Sequence, residues 1–196
     1  EQAINSVQRL AIPDRLQVVE TNWSTWRSMY PQTTLLTKDT GFSRPYGLYP
    51  YGSFKTDNSI LFNVSDDSDG RLQRKTRVLG INVGEASKVY PISNFDAAVT
   101  VLNDTVGVMD VVATGSSELN FGSIFNRQLE DCTTLSFSAV QDQLPIVMVD
   151  NEGSEWDVFG VAVSGPRAGT QLQKTNSYIA YWFAWATFFT GAEIYQ

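Results

Sequence analysis

Carboxylates, tyrosines and one thiol are the groups in this chain that could do chemistry. Histidine is absent from all 196 residues, which excludes every imidazole-based triad or zinc site. Cys132 stands alone, so no internal disulfide or thiolate cluster can form. Placed before the alternating stretch Thr133-Thr-Leu-Ser-Phe137, it reads as a small buried hydrophobe. The notable acids fall in three groups. Asp39-Thr40-Gly41 matches the aspartic-protease triplet, but no second Asp-Thr-Gly or Asp-Ser-Gly follows, and that chemistry needs two carboxylates sharing one proton. A turn capped by Asp39, with Gly41 at positive φ, is the preferred reading. Asp66, Asp67 and Asp69 before Gly70 resemble a piece of a calcium loop. The ligand alternation fails and no bidentate Glu follows in place, which leaves a solvated acidic turn. Glu152, Glu155 and Asp157 surround Trp156, as a carboxylate pair beside a sugar-stacking ring would. An exposed Gly-Ser turn accounts for them equally well. No Gly-x-Ser-x-Gly elbow or Walker loop is present, and nothing in the sequence asks for a metal or cofactor.

The candidate binding residues lie in a Gly-, Pro- and Tyr-rich stretch over 41–54. There Tyr46, Tyr49, Tyr51 and Phe54, with Arg44, could form a stacking surface for a glycan or peptide. The competing reading makes the rings plugs over the end of a sheet. Three sequons, Asn22-Trp-Ser, Asn63-Val-Ser and Asn103-Asp-Thr, are glycosylation candidates in an exported protein. Asn63, beside the acidic turn, is the most accessible of them, and Asn22 doubles as a helix cap. The net charge is -7 with 18% charged residues, which argues against a nucleic-acid partner. With 42% apolar residues the chain can build a core. No apolar run is long enough for a transmembrane helix. Residue 1 is Glu, which points to a processed or trimmed chain.

The elements that must position these groups begin with a spacing that occurs twice. Trp23, Trp26 and Tyr30 sit at i, i+3 and i+7, as do Trp182, Trp185 and Phe189. Each set puts three rings on one face of a short helix, and Leu16-Gln17 and Leu172-Gln173 precede them. The repetition suggests an internal duplication. All four tryptophans are expected mostly buried, each against a sheet. Thr21 or Asn22 can cap the first helix, which stops before Pro31. The second is expected over about 178–189. A third short helix is expected from a capping box, Ser93 with Asp96, followed by Phe95, Val99 and Leu102. Strands are expected over 15–20, 60–64, 77–83, 87–90, 106–113, 119–125, 144–149 and 156–163, with a further β-rich stretch at 33–37. Leu135, Phe137 and Ala139 alternate with polar residues in a strand with one wet face. The strands over 144–149 and 156–163 are apolar on both faces and should be central. Residues 1–14 read as an arm, and 15–196 as a single β-rich domain. The expected fold is mainly β: an antiparallel sandwich or open barrel with two short aromatic helices and one further short helix.

The chain also resembles a known family. Asp39-Thr-Gly-Phe-Ser-Arg-Pro-Tyr-Gly-Leu-Tyr-Pro-Tyr-Gly52 is similar to a signature of the prokaryotic domain-of-unknown-function family 3179. Matches follow in family order at Arg71-Leu72, Lys75-Thr-Arg-Val-Leu-Gly80, Lys88-Val-Tyr-Pro91 and Val101-Leu-Asn-Asp-Thr-Val-Gly107. They continue at Gly153-Ser-Glu-Trp156, Gly165-Pro-Arg-Ala-Gly169 and Tyr181-Trp-Phe-Ala-Trp-Ala-Thr-Phe-Phe189. The resemblance covers residues 16–195. It implies an architecture and an extracytoplasmic location, but no reaction. Members are typically longer, with an added N-terminal repeat, so this chain looks like the C-terminal part or a short variant. That repeat usually carries a Cys-Pro strand. The corresponding stretch here, Val112-Ala-Thr-Gly-Ser-Ser117, has no cysteine, so thiol chemistry is not expected.

These readings converge on a secreted or cell-surface, non-enzymatic module with a structural, assembly or ligand-binding role. The alternative is a carboxylate-based hydrolase acting on glycan or peptide. Self-association is expected through a sheet edge or the arm, whose Ile4, Val7, Leu10 and Ile12 could add a strand to another copy.

Overall fold

Asn22 starts the first helix, α1 (Trp23–Met29), by accepting the Thr25 backbone N–H on Oδ1 at 2.8 Å. The Tyr30 N–H closes it on the Trp26 carbonyl, and Pro31 prevents continuation. The computed structural model describes residues 18–196. The arm over 1–14, Leu16-Gln17 and the first half of the strand expected over 15–20 lie outside the described residues, and residues 18–20 form no strand.

Residues 31–76 contain no helix or strand. The strand expected over 60–64 is absent and the stretch at 33–37 is open chain. Neither pairs with a strand among the described residues. Leu35, Leu36, Leu61 and Phe62 are all exposed instead.

From residue 77 the chain is β-rich. Strands β1 (Arg77–Val83) and β2 (Ala86–Pro91) form a hairpin joined at Gly84-Glu85, as the sequence suggests. Gly84 takes φ +59, which the turn requires. Next come β3 (Thr100–Val106), β4 (Met109–Ser116) and β5 (Phe121–Asn126), a meander. β6 (Phe137–Ala139), β7 (Ile146–Asp150) and β8 (Glu155–Asp157) form a second meander. The two-residue β9 (Gln173–Lys174) pairs with β5, and β10 (Ser177–Tyr181) pairs with β1. Helix α2 (Trp182–Phe188) and β11 (Glu193–Ile194) finish the chain, β11 running parallel to β2. The sheets are β10-β1-β2-β11, β3-β4-β5-β9 and β6-β7-β8. Among the described residues the domain is mainly β, with two α-helices and no closed barrel.

Strand alternation fixes the stacking of these sheets. On β4 and β5, Val111, Ala113 and Ile124 face one core cluster with Leu79, Ile81 and Tyr90 of the first sheet. Val112, Phe121 and Phe125 face the other, with Leu135, Val147, Met148 and Trp156. The central sheet is therefore covered on both faces, which explains why residues 111–116 and 121–125 are buried without alternation. The far face of the first sheet carries Val78 and Val89 under Trp182 and Trp185 of α2. Gly80 is essential to that contact: a Cβ there would lie 2.5 Å from the Trp185 ring.

Several expectations need correction. The third helix is only a single 3-10 turn, Ile92–Asn94. No capping box forms, because the Asp96 N–H donates to Thr100 Oγ1 at 3.0 Å and the chain enters β3. β10 occupies the first part of the expected C-terminal helix, held in register by β1. β7 is central as expected, but β8 is a three-residue edge strand. Of the four helix tryptophans, Trp182 and Trp185 are fully buried, Trp26 is half-buried and Trp23 is 43% exposed. The buried face of α1 is Thr25 and Met29. Cys132 is exposed, at φ 65 in the turn that the Leu129 N–H closes on the Thr133 carbonyl.

Candidate functional site

The stretch that carries the sequence-predicted binding residues is built from turns. Tyr46 N–H donates to the Arg44 carbonyl, Leu48 N–H to Pro45 and Phe54 N–H to Tyr51. The Thr40 and Tyr46 hydroxyls pair at 2.7 Å. Asp39 does not cap by its carboxylate; its N–H donates to Thr37 Oγ1, and Gly41 takes φ +76 as expected. The segment is anchored at its C-terminal end. Lys75 donates to the Phe54 carbonyl and to Asp57 Oδ1, with its ammonium 3.7 Å from the Phe54 ring. Phe54 in turn packs edge-on against Tyr181. Hydrogen bonds from the Ser59 hydroxyl, then Ser53, hold the exposed Asp57 carboxyl well below the usual carboxylate range.

That anchoring leaves the rings outside. Tyr46, Tyr49 and Tyr51 are 48%, 40% and 60% exposed, so they do not plug a sheet end. Tyr49 and Tyr51 stand edge to face, and the Lys55 ammonium lies 4.4 Å from the Tyr49 ring. Arg44 is also exposed. The exposed surface extends beyond the tyrosines to Leu35, Leu36, Phe42, Leu48, Leu61 and Phe62.

The acidic groups are occupied by structural work. Glu152 accepts two hydrogen bonds from Arg167, at 2.6 and 2.9 Å, and Asp131 accepts a third at 2.8 Å. Those bonds lower both carboxyl pKa values, that of Asp131 to about 2. Glu155 accepts from the Ser164 hydroxyl, and Asp157 accepts the Phe159 and Val161 N–H groups. Asp69 pairs with Arg71 and Asp67 with Arg74. The turn at 66–70 is thereby fixed against α2, since the Asp69 carbonyl accepts Trp182 Nε1 and the Asp66 carbonyl accepts the Thr187 hydroxyl. No group of three His, Cys, Asp or Glu side chains among the described residues could hold a metal ion.

The sequons differ in what their side chains do. Asn22 is the α1 cap. Asn103 donates to the Phe137 carbonyl and accepts the Phe137 N–H, both at 2.8 Å, so it joins β3 to β6. Asn63 is exposed and makes no side-chain hydrogen bond among the described residues.

Two buried networks were not found from sequence. Lys88 is 7% exposed on β2 and bonds Asp104 Oδ2 at 2.8 Å and Glu193 Oε1 at 2.7 Å. The Tyr90 hydroxyl donates to the same Asp104 oxygen at 2.7 Å. Burial opposes the charge on Lys88, but its two carboxylate partners outweigh it and raise the pKa. Burial likewise pushes Asp104 up, and the Lys88 and Tyr90 hydrogen bonds outweigh it and lower the pKa. The signal was present as Lys88-Val-Tyr90, a charge at an inward position of a strand. The second network is Asp150, 6% exposed, which accepts the Glu152 and Ser154 N–H groups and Trp156 Nε1 at 2.8–2.9 Å. It ties the turn at 150–154 to the core.

A family match spans residues 8–192 and carries the description "Protein of unknown function (DUF3179)". The chain belongs to that family. No curated protein and no solved structure matches it.

Proposed function

We propose that this domain is a non-enzymatic assembly module working outside the cytoplasm, and that residues 35–62 are its interface with a protein partner. The observation that carries the reading is the exposed apolar set Leu35, Leu36, Phe42, Leu48, Leu61 and Phe62 around Tyr46, Tyr49 and Tyr51. A concentration of exposed large apolar side chains in one stretch of chain is a feature of interaction sites. Tyrosines with a nearby Arg44 are typical interface anchors. The aliphatic members favour a protein surface over a glycan, because sugars stack on rings and gain little from leucines. A second copy of the chain is one such partner. The engaged states of Glu152, Glu155 and Asp157 give the hydrolase alternative no support.

Hydroxyl-radical footprinting tests this on two samples: native material fractionated by compartment, and the isolated recombinant domain. Tyr46, Tyr49, Tyr51 and Phe62 are expected to react in the isolated domain and to be protected in the native sample. Intact mass on the native sample is expected to show a glycan at Asn63 if the host N-glycosylates. Equal ring reactivity in both samples sinks the interface, and recovery from the cytoplasmic fraction sinks the location.

A further inference from the structure

An open cleft of about 900 Å³ lies between the end of β5, the turn over 128–131 and the strand segment over 170–174. We propose that it binds a neutral polyhydroxylated ligand, an oligosaccharide, through carboxamides held in fixed orientations. Gln171 donates through Nε2 to the Phe159 and Gly160 carbonyls at 2.8 and 3.3 Å. Its Oε1 is left as an acceptor. Gln173 is tethered the opposite way, its Oε1 accepting Asn126 Nδ2 at 3.0 Å. Its Nε2 is left as a donor. Asn126 is itself fixed by the Gln128 N–H, which donates to its Oδ1 at 2.9 Å. Leu172, between the two glutamines, is fully buried. Gln171 and Gln173 therefore share the outer face of an extended segment, one offering an acceptor and the other a donor.

The charges of the cleft select against ions. The four charged lining residues, Glu130, Asp131, Arg167 and Lys174, carry two charges of each sign, and Arg167 is already engaged by Asp131 and by Glu152. That leaves Glu130 and Lys174, one of each sign, with no ion-pair partner among the described residues. An anionic ligand would meet Glu130, and a cationic one Lys174. An apolar ligand would leave the oriented amides unpaired, which is costly. An extended peptide would pair main chain to main chain along β9, the last strand of its sheet, and would make no use of the two fixed amides. Hydroxyl groups both donate and accept, and they match a neutral wall that presents one of each. The inference does not depend on the tyrosine segment.

The test is titration calorimetry with 1,4-linked tetrasaccharides of glucose and of N-acetylglucosamine, with a neutral Gly/Ser peptide of similar length alongside. Saturable binding of a tetrasaccharide is expected, with Kd rising about tenfold in Gln171→Ala or Gln173→Ala. Both positions are exposed, so folding should survive, and the circular dichroism spectrum checks it. The proposal is overturned if neither sugar saturates, or if binding persists unchanged in the double Gln variant. It is also overturned if the peptide binds as well as the sugar. Loss of sugar binding in Tyr49→Ala or Tyr51→Ala, with the Gln variants unaffected, would move the site elsewhere and end the proposal too.

Discussion

Replacing Lys88 by Met should be among the most damaging single polar changes in the domain. Met keeps the length of the side chain inside the first core and removes only the ammonium. Asp104, with 22% of its side chain exposed, then keeps the Tyr90 hydroxyl and the Thr105 N–H but loses its counter-charge. Breaking a buried pair from one side costs about 3–5 kcal/mol, and the surviving hydrogen bonds put this case near the lower end. For a chain of this size that corresponds to a fall in Tm of roughly 6–12 °C. Asp104→Asn should cost about 1–2 kcal/mol, because Lys88 retains Glu193. Glu193→Gln should cost less than about 1 kcal/mol, since that carboxylate is 67% exposed and water screens the pair. Urea unfolding followed by the fluorescence of the buried Trp182 and Trp185 measures the series. The pH dependence follows from the two shifts. The raised Lys88 pKa means its contribution is complete below 10.5 and is lost as pH rises through the higher folded value. The lowered Asp104 pKa means its contribution is present above 3.8 and is lost as pH falls through the lower folded value. Asp104→Asn should therefore flatten part of the acid limb. The reasoning fails if Lys88→Met costs under 1 kcal/mol, or if Glu193→Gln costs as much as Asp104→Asn.

Two further outcomes separate the structure from the pattern in the sequence. Trp185→Ala should cost about 3–5 kcal/mol and Trp23→Ala less than about 1 kcal/mol, by denaturant unfolding; equal costs would remove the distinction between the two helix settings. Cys132 should react with a thiol reagent in the native state, one thiol per chain without denaturant; reaction only on unfolding would show that the turn is packed.

The local signals in this sequence were reliable where a neighbour in sequence decides the outcome. Asn22 and Pro31 bound α1 correctly, and Gly84-Glu85 located the β1–β2 hairpin. Alternation over 135–139 gave the wet and dry faces of β6. The errors share one cause, which is that the deciding partner is distant in sequence. Ile60, Phe62 and Val64 alternate as a strand should, yet no strand lies beside them. Phe95, Val99 and Leu102 have helical spacing, yet β4 captures residues 100–106 as β3. Cys132 is an exception with a local cause: it looks like a core residue by type, but the turn closed between Leu129 and Thr133 puts it in solvent. The candidate binding residues were legible as a cluster of rings on turns. Their exposure was not, because burial depends on which sheet, if any, lies underneath.

The two aromatic helices make the same point within one chain. Both run seven residues and end with the i+7 ring as C-cap, whose N–H returns to the carbonyl of the second Trp. The i+3 and i+7 rings meet at 4.9 Å in α1 and 4.5 Å in α2, tilted in both. The second indole donates to a hydroxyl each time, Trp26 to Thr33 and Trp185 to Ser87. The caps and the ring contacts are set by spacing; the indole partners are not, since Thr33 lies seven residues on and Ser87 is on β2. The difference is in what lies beneath. α2 follows directly from β10, so its rings land on the first sheet over Val78, Gly80 and Val89 and are sealed there. α1 leads into the exposed segment over 31–64, and only Met29 and Tyr30 of its apolar residues join a core cluster. Trp23 is left 43% exposed. One local motif is therefore sealed where a sheet lies beneath it, and only partly covered where its rings meet the side chain of Phe159.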